Sequence, residues 1–354
     1  MKNIRKYFLA GLAMAALTTA CSTKKQEQKE TANEEKKDQV VNVYTHRHYA
    51  SDQQLFDTFT KETGIKVNVV NASADELIHK LEMEGDKSPA DVLITVDGGR
   101  LYRAKEKGLL KAISSEKLNE QIPAHYRDKD GYWFGLTYRA RVIAYAKDRV
   151  KPEELSTYED LTNSKWRKRL ITRSSSQEYN QALLASIIEH SGEEKAKEWA
   201  RGIVENFARD PKGGDRDQIK AVAAGVADIA IVNTYYLGKL LNSKSPEEVK
   251  AGQSVGVFFP NQEDRGTHVN ISGIGVTAHA PHEENAVRFI EFLSGVEAQN
   301  MFAGVNFEYP VNPKADHVDL LDSWGSFKTD PIDFDALGKH NQEAVMIFDE
   351  VGWK

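Results

Sequence analysis

Ala227-Asp-Ile-Ala-Ile-Val-Asn-Thr-Tyr-Tyr-Leu-Gly-Lys-Leu240 decides how this chain is read. Residues 228–232 form a short, largely apolar run closed by the turn signal Asn233-Thr234, the pattern of a buried strand. Thr234 is placed to cap a helix that begins at once with Tyr235 and Tyr236. Two adjacent tyrosines then occupy a helix's first turn, just past a strand's C-terminal end. That is a poor place to bury two phenols as ordinary core. It is a good place to present two phenol oxygens to a crevice, and open α/β sheets bind ligands at that edge. The positive end of the helix dipole also favours phenolate over phenol. The blander reading has one ring packed and the other solvated.

The same design recurs to either side. Leu170-Ile-Thr-Arg173 reads as a strand and Ser174-Ser-Ser176 as a cap signal. A helix over 177–188 follows, with Leu183, Leu184, Ile187 and Ile188 as its buried stripe and Tyr179 in its first turn. Nearer the start, 40–45 is a strand, His46-Arg47-His48-Tyr49 a loop, and Ser51 the cap of a helix with Leu55, Phe56 and Phe59 on one face, ending at Gly64. A strand over 65–70, a helix capped by Ser73, a strand over 90–96 and the turn Asp97-Gly-Gly-Arg100 come next. Strand, helix, strand, helix, strand predicts an α/β fold with a parallel sheet and crossover helices. The aromatic stretch 132–145 is too long for a simple crossover and reads as passage into a second domain. Further on, 217–224 is a helix stopped by Gly225, 270–277 a strand and 283–293 an amphipathic helix.

The first 38 residues carry different signals. Lys2, Arg5 and Lys6 precede an apolar run over 7–20, too short to span a bilayer and charged like a secretory signal. It ends Leu17-Thr-Thr-Ala-Cys21, which resembles a lipobox with its Leu one place further out than usual. Cys21 is the only cysteine, so there is no disulfide framework. At the end of the signal it reads as a lipid anchor, the alternative being plain cleavage beside an idle thiol. Residues 22–38 are too polar to offset the entropy of ordering and read as a tether. A body of about 315 residues remains, enough for two domains with proper cores. With a formal net charge of −6, nothing marks a nucleic-acid footprint.

Three loops, His48-Tyr49, Tyr179 and Tyr235-Tyr236, thus each lie between a strand's end and a helix's first turn, where they can converge on one cleft. Phenolate is a hard, anionic oxygen donor. Thiolates are absent, and one histidine is too few for an ordinary zinc or copper site. Carboxylates, which calcium and magnesium require, are not prominent in these loops. Ferric iron, small and trivalent, suits such a set and would lower a phenol's pKa from about 10. No His-x-x-x-His or paired-carboxylate motif supports a metal-dependent hydrolase.

Six motifs now carry a resemblance: Val43-Tyr-Thr-His-Arg-His-Tyr49, Ala90-Asp-Val-Leu-Ile-Thr-Val-Asp97, Arg173-Ser-Ser-Ser-Gln-Glu-Tyr-Asn180, Asp215-Arg-Asp-Gln-Ile-Lys-Ala-Val222, Ile231-Val-Asn-Thr-Tyr-Tyr236 and Glu308-Tyr-Pro-Val-Asn312. Spread over nearly the whole body, they make the chain resemble the ferric-iron-binding proteins of bacterial ABC importers, in the periplasmic solute-binding superfamily. The branch that binds iron through several tyrosines and one histidine is the most similar. The resemblance implies two α/β lobes joined by a hinge, with iron in the cleft between them. On that reading lobe 1 is 39–135 with 267–312, and lobe 2 is 136–266 with 313–354. It implies His48, Tyr49, Tyr179, Tyr235 and Tyr236 as ligands of Fe(III), with His46 the alternative imidazole. It also implies a monomer in the periplasm, held to the membrane by lipid on Cys21 and delivering iron to an inner-membrane ABC permease. Some relatives complete the shell with an anion, which Arg173, the Ser174-Ser176 loop and Asn233 are placed to hold. Arg47, Arg100, Arg139 and Arg173 are the candidates to offset surplus phenolate charge. The competing reading keeps the fold but binds a small anion (phosphonate or sulfate) or an amine, with the tyrosines as walls.

Overall fold

A computed structural model describes residues 39–47 and 49–354. The expected signal, lipobox and tether over 1–38, and the expected ligand His48, lie outside the described residues. The chain opens β1 (Val40–Thr45), α1 (Ala50–Thr63), β2 (Lys66–Asn71), α2 (Ala74–Glu84), β3 (Val92–Thr95) and α3 (Gly98–Glu106). β1 pairs with both β2 and β3 in parallel, as the alternation of strand and helix predicts. Ser73 caps α2 in a reciprocal capping box with Glu76, and Gly64 ends α1 at φ 74°, a left-handed conformation that favours glycine.

β4 (Leu110–Lys111) and α4 (Glu116–Gln121) lead to β5 (Phe134–Ala146), a strand of 13 residues. β6 (Leu170–Ile171), α5 (Glu178–Ser191), α6 (Glu193–Glu205), α7 (Asp215–Ala223), β7 (Ile229–Asn233), α8 (Thr234–Leu241), α9 (Pro246–Gln253) and β8 (Val255–Phe258) follow. Then come β9 (Val269–Thr277), α10 (Glu283–Leu293), α11 (Val296–Asn306) and β10 (Tyr309–Pro310), with α12 (Asp319–Asp322), α13 (Phe334–Lys339) and α14 (Asn341–Val351) closing the chain. The strands run in the order β2-β1-β3-β9-β5-β7-β6. β5 joins two sheets. From Phe134 to Ala140 it lies antiparallel to β9, and from Arg141 onward antiparallel to β7 and, from Ile143, to β8. The long aromatic stretch is therefore the strand that carries the chain from one sheet into the other. β9 is buried along its whole length, so its polar residues Asn270, Ser272 and Thr277 are buried with the apolar ones.

Two apolar clusters form the core, and the larger runs from the first sheet into the second through Val142, Ala230, Val232 and Leu237. One joins β1, β3 and β9 to Leu55, Phe59, Phe289 and Phe302. The other packs Leu183, Leu184, Ile187 and Ile188 of α5 against Trp166, Trp199, Phe348 and Trp353, so that α14 seals α5 and α6. α13 packs on both α3 and α5. Its approach to α3 requires glycine: a Cβ added at Gly338 would stand 2.3 Å from Cδ1 of Tyr102.

Three caps differ from expectation. α8 begins at Thr234 with Asn233 as its N-cap, and the Thr234 hydroxyl has no hydrogen-bond partner. α1 has Tyr49 as its N-cap, because the Ser51 hydroxyl accepts instead from Asn306 Nδ2 at 2.9 Å. α5 starts after Gln177, and the Ser174 and Ser176 hydroxyls bond each other at 3.0 Å.

Behind the cleft, His268 is buried, its backbone N–H donating to the Tyr158 hydroxyl at 3.2 Å. Burial, with Arg141 and Arg139 adding repulsion, pushes its imidazole from 6.5 down to about 3. The unfolded chain takes up this proton below about 6.5 while the folded chain does not. Stability is therefore intact above that pH and declines as pH falls toward about 3. We expect His268→Gln to lose between pH 7 and pH 5 about 2 kcal/mol less than the unmodified protein, read from denaturant melts at each pH.

Candidate metal centre

The two helix starts that carry tyrosines meet. Tyr179, in the first turn of α5, and Tyr235, in the first turn of α8, are both buried, and their hydroxyls stand 3.2 Å apart. Tyr236, the next residue of α8, is partly buried, its ring centroid 4.1 Å from that of Tyr235. Tyr49 arrives from the other sheet, at the N-cap of α1, and its phenol hydrogen-bonds with Tyr235. Four phenols from three separated stretches thus share one cluster.

Burial dominates their electrostatics. It drives the Tyr179 and Tyr235 phenols well above their ordinary value of 10.0. Tyr49 is pushed up to about 12 by burial and by Glu308, against the pull of Arg47 and of its bond to Tyr235. Tyr179 and Tyr235 thus stand as neutral phenols whose hydroxyls bond each other. Bringing a trivalent cation among them reverses the preference, because water is excluded and the attraction between opposite charges is strong there. Among the described residues, no group of three or more His, Cys, Asp or Glu side chains is placed to hold a metal.

The setting is cationic. Arg47 is buried, pairing with Asp52 at 3.1 Å and Glu308 at 3.1 Å, and its guanidinium carbon lies 4.9 Å from the Tyr49 ring centroid. Around the Tyr179 ring stand Arg173, Arg139 and Arg141, with guanidinium carbons at 5.1, 5.5 and 5.9 Å. Arg139 donates to the Val96 carbonyl, and its Nη1 has no hydrogen-bond partner among the described residues. Arg100 is the exception among the four arginines expected from sequence. It is bound to Asp97, 3.1 Å, and Asp75, 3.5 Å, with Asp97 serving as N-cap of α3.

Sequence reasoning missed two cations. Arg141 was unremarkable in a strand-like stretch. Lys239 lies one turn beyond Tyr235 on α8, and its ammonium is 3.9 Å from the Tyr49 ring centroid and 5.1 Å from that of Tyr235. The i, i+4 spacing from Tyr235 is the signal that would have found it. Burial lowers its amine to about 8.

The model of the family described as "Bacterial extracellular solute-binding protein" matches residues 54–330. The chain belongs to this family. Among curated relatives of this solute-binding protein, Iron uptake protein A1 of Synechocystis is 52% identical over 316 residues, spanning 89% of this chain and 88% of that one. The major ferric iron-binding protein of Neisseria meningitidis is 27% identical over 318 residues, 88% of each chain. Of solved structures, a Trichodesmium protein in complex with iron and citrate ligands aligns at TM-score 0.86 and 51% identity, covering 89% of this chain and 100% of that one. A ferric binding protein from Campylobacter jejuni aligns at TM-score 0.85 and 45% identity, with coverage of 89% and 100%. The two-lobed periplasmic-binding-protein fold expected from sequence is thus the fold observed. These relatives are named for iron, and the small-anion or amine reading of the solute-binding protein is not favoured. Among the described residues no helix is long and apolar enough to cross a membrane.

Proposed function

We propose that this chain captures ferric iron in the cleft between its lobes, outside the cytoplasm, and delivers it to an ABC permease. One observation carries the reading: Tyr49, Tyr179, Tyr235 and Tyr236, far apart in sequence, share one buried cluster ringed by cations. The relatives named for iron uptake and ferric binding support the same cargo. His48 is proposed as a fifth donor on the strength of its place beside Tyr49. Iron enters as Fe(III), each phenol that binds it releasing a proton. The lobes, 39–135 with 267–312 and 136–266 with 313–354, hinge where β5 passes between sheets. Iron lands first on Tyr179, Tyr235 and Tyr236, and closure then adds Tyr49 and His48 and excludes water. We further propose that the protein works as a monomer and that Cys21 carries a lipid, with 22–38 as tether.

Ferric phenolates absorb visible light, which makes the ligand set testable. Tyr→Phe removes an anionic oxygen and nearly conserves shape. In the Tyr235→Phe/Tyr236→Phe double variant we expect the charge-transfer band to weaken and shift to the blue, and affinity in chelator competition to fall by well over tenfold. An unchanged spectrum would remove both residues from the site. Changes at Tyr49 should be milder, since it joins on closure.

Five protein donors leave one position in an octahedral shell, so no exogenous anion is required. We expect ferric affinity in carbonate-free, phosphate-free buffer to be close to that in ordinary buffer, and to become carbonate-dependent in the His48→Ala/Tyr49→Phe variant. Strong carbonate dependence of the unmodified protein would exclude His48 or Tyr49 as a ligand.

For the anchor, Cys21→Ser should release the protein from the membrane fraction with iron binding unaltered, as followed by fractionation and iron titration. Retention on the membrane would refute the lipid assignment.

A further inference from the structure

Behind the tyrosines lies a buried polar knot that, among the described residues, makes no hydrogen bond to the Tyr179, Tyr235 or Tyr236 oxygens. Asp215, the first residue of α7, is fully buried, and its Oδ2 accepts from Arg141 Nη1 at 2.8 Å. The same Oδ2 accepts from the backbone N–H of Asn233, also at 2.8 Å. Asn233 is the N-cap of α8, so this carboxylate holds the start of the helix that presents Tyr235 and Tyr236. Arg141 reaches the other way as well. Its Nη2 donates to Asn180 Oδ1 at 2.7 Å, and Asn180 directly follows Tyr179 on α5. Asn180 in turn donates through Nδ2 to the carbonyls of Arg173, 3.0 Å, and Ser174, 3.2 Å, which fixes the loop entering α5. Arg141 itself is set on β5 opposite Asn233, and its carbonyl accepts from the buried Tyr158 hydroxyl.

One guanidinium therefore spans the two helix starts whose tyrosine oxygens must meet one ion. Nothing in the phenol cluster itself sets that span, since a bond between two neutral hydroxyls at 3.2 Å is weak and adjustable. A planar, always-charged fork held by a buried carboxylate is rigid by comparison. We propose that the buried Asp215–Arg141 pair is the positioning device of the iron site, fixing the separation of Tyr179 from Tyr235 and Tyr236 and thereby the affinity for ferric ion. The inference rests on the iron reading above and deepens it, assigning a role to two residues that do not touch the cargo. Residues that orient ligands from behind typically change metal affinity by about 10- to 100-fold when replaced.

The alternative is an ion pair that only stabilises the fold, and three variants separate the two. Asp215→Asn keeps the shape but leaves the Arg141 charge buried and uncompensated and takes from Arg173 its carboxylate partner at 3.6 Å. Asp215→Asn/Arg141→Met removes that charge and fills its volume with an apolar chain, which relieves the instability without restoring the fork. Asn180→Ala keeps the pair and removes its arm to α5, together with the Nδ2 bonds to the Arg173 and Ser174 carbonyls. Each is measured for the thermal midpoint of the metal-free protein, ferric affinity by chelator competition, and the position of the charge-transfer band. We expect Asp215→Asn to lower the midpoint, to weaken iron about 10- to 100-fold and to shift the band. The double variant should regain most of the midpoint and none of the affinity or band position. Asn180→Ala should weaken iron and shift the band with a smaller fall in midpoint, and it decides the matter should Asp215→Asn not fold. Wild-type affinity and band in Asp215→Asn or in Asn180→Ala would overturn the inference, as would recovery of affinity along with stability in the double variant. Failure of the unmodified protein to bind ferric ion would overturn the iron reading, and this inference with it.

Discussion

Two phenol hydroxyls held 3.2 Å apart, out of water and at the starts of two different helices, are the constraint to which the rest of the structure answers. Burial makes ionisation of Tyr179 and Tyr235 costly, so these two phenols are neutral and hydrogen-bond each other. The same loss of water makes the cluster a strong trap for a cation that can strip the protons. The surrounding charges serve that exchange. Arg139, Arg141 and Arg173 about the Tyr179 ring favour the phenolate that a bound metal creates.

Each side of the cleft is held by a buried polar knot. On the Tyr49 side, Arg47 ties Asp52 of α1, Ser272 of β9 and Glu308 together, all buried. On the Tyr179 and Tyr235 side, Arg141, Asp215, Asn180 and Asn233 form an equally buried knot. Breaking a buried pair of this kind costs about 3–5 kcal/mol, so each side is stiff. Across the cleft, the Lys239 ammonium rests on the Tyr49 ring, a contact worth about 0.5–2 kcal/mol.

Much of this was legible in the chain. The parallel β1, β2 and β3 with their crossover helices follow from apolar periodicity, and the capping box at Ser73 and the Gly64 stop from local chemistry. The three tyrosine loops were legible because phenols in helix first turns fit ordinary core poorly. Two of the misread caps share one cause. Thr234 was the natural cap of α8, but Asn233 takes that place, bound through Arg141 and Asp215. Ser51 was the natural cap of α1, but its hydroxyl is used by Asn306, 255 residues away in sequence. A distant partner that is fully buried outcompetes a local one that is half-solvated.

By itself, then, the sequence determined the donor chemistry and the alternation of strand and helix, because both depend on residue types and short spacings. Tertiary structure decided which cations matter. Arg100 and Arg139 look alike in sequence, yet one pairs with Asp75 and Asp97 while the other stands over Tyr179. Arg141 gains its role because β5 runs beside β7, which sets it opposite Asn233, and Lys239 because the lobes bring Tyr49 within 3.9 Å of it. A charge acts through distance and dielectric, and neither is written along the chain.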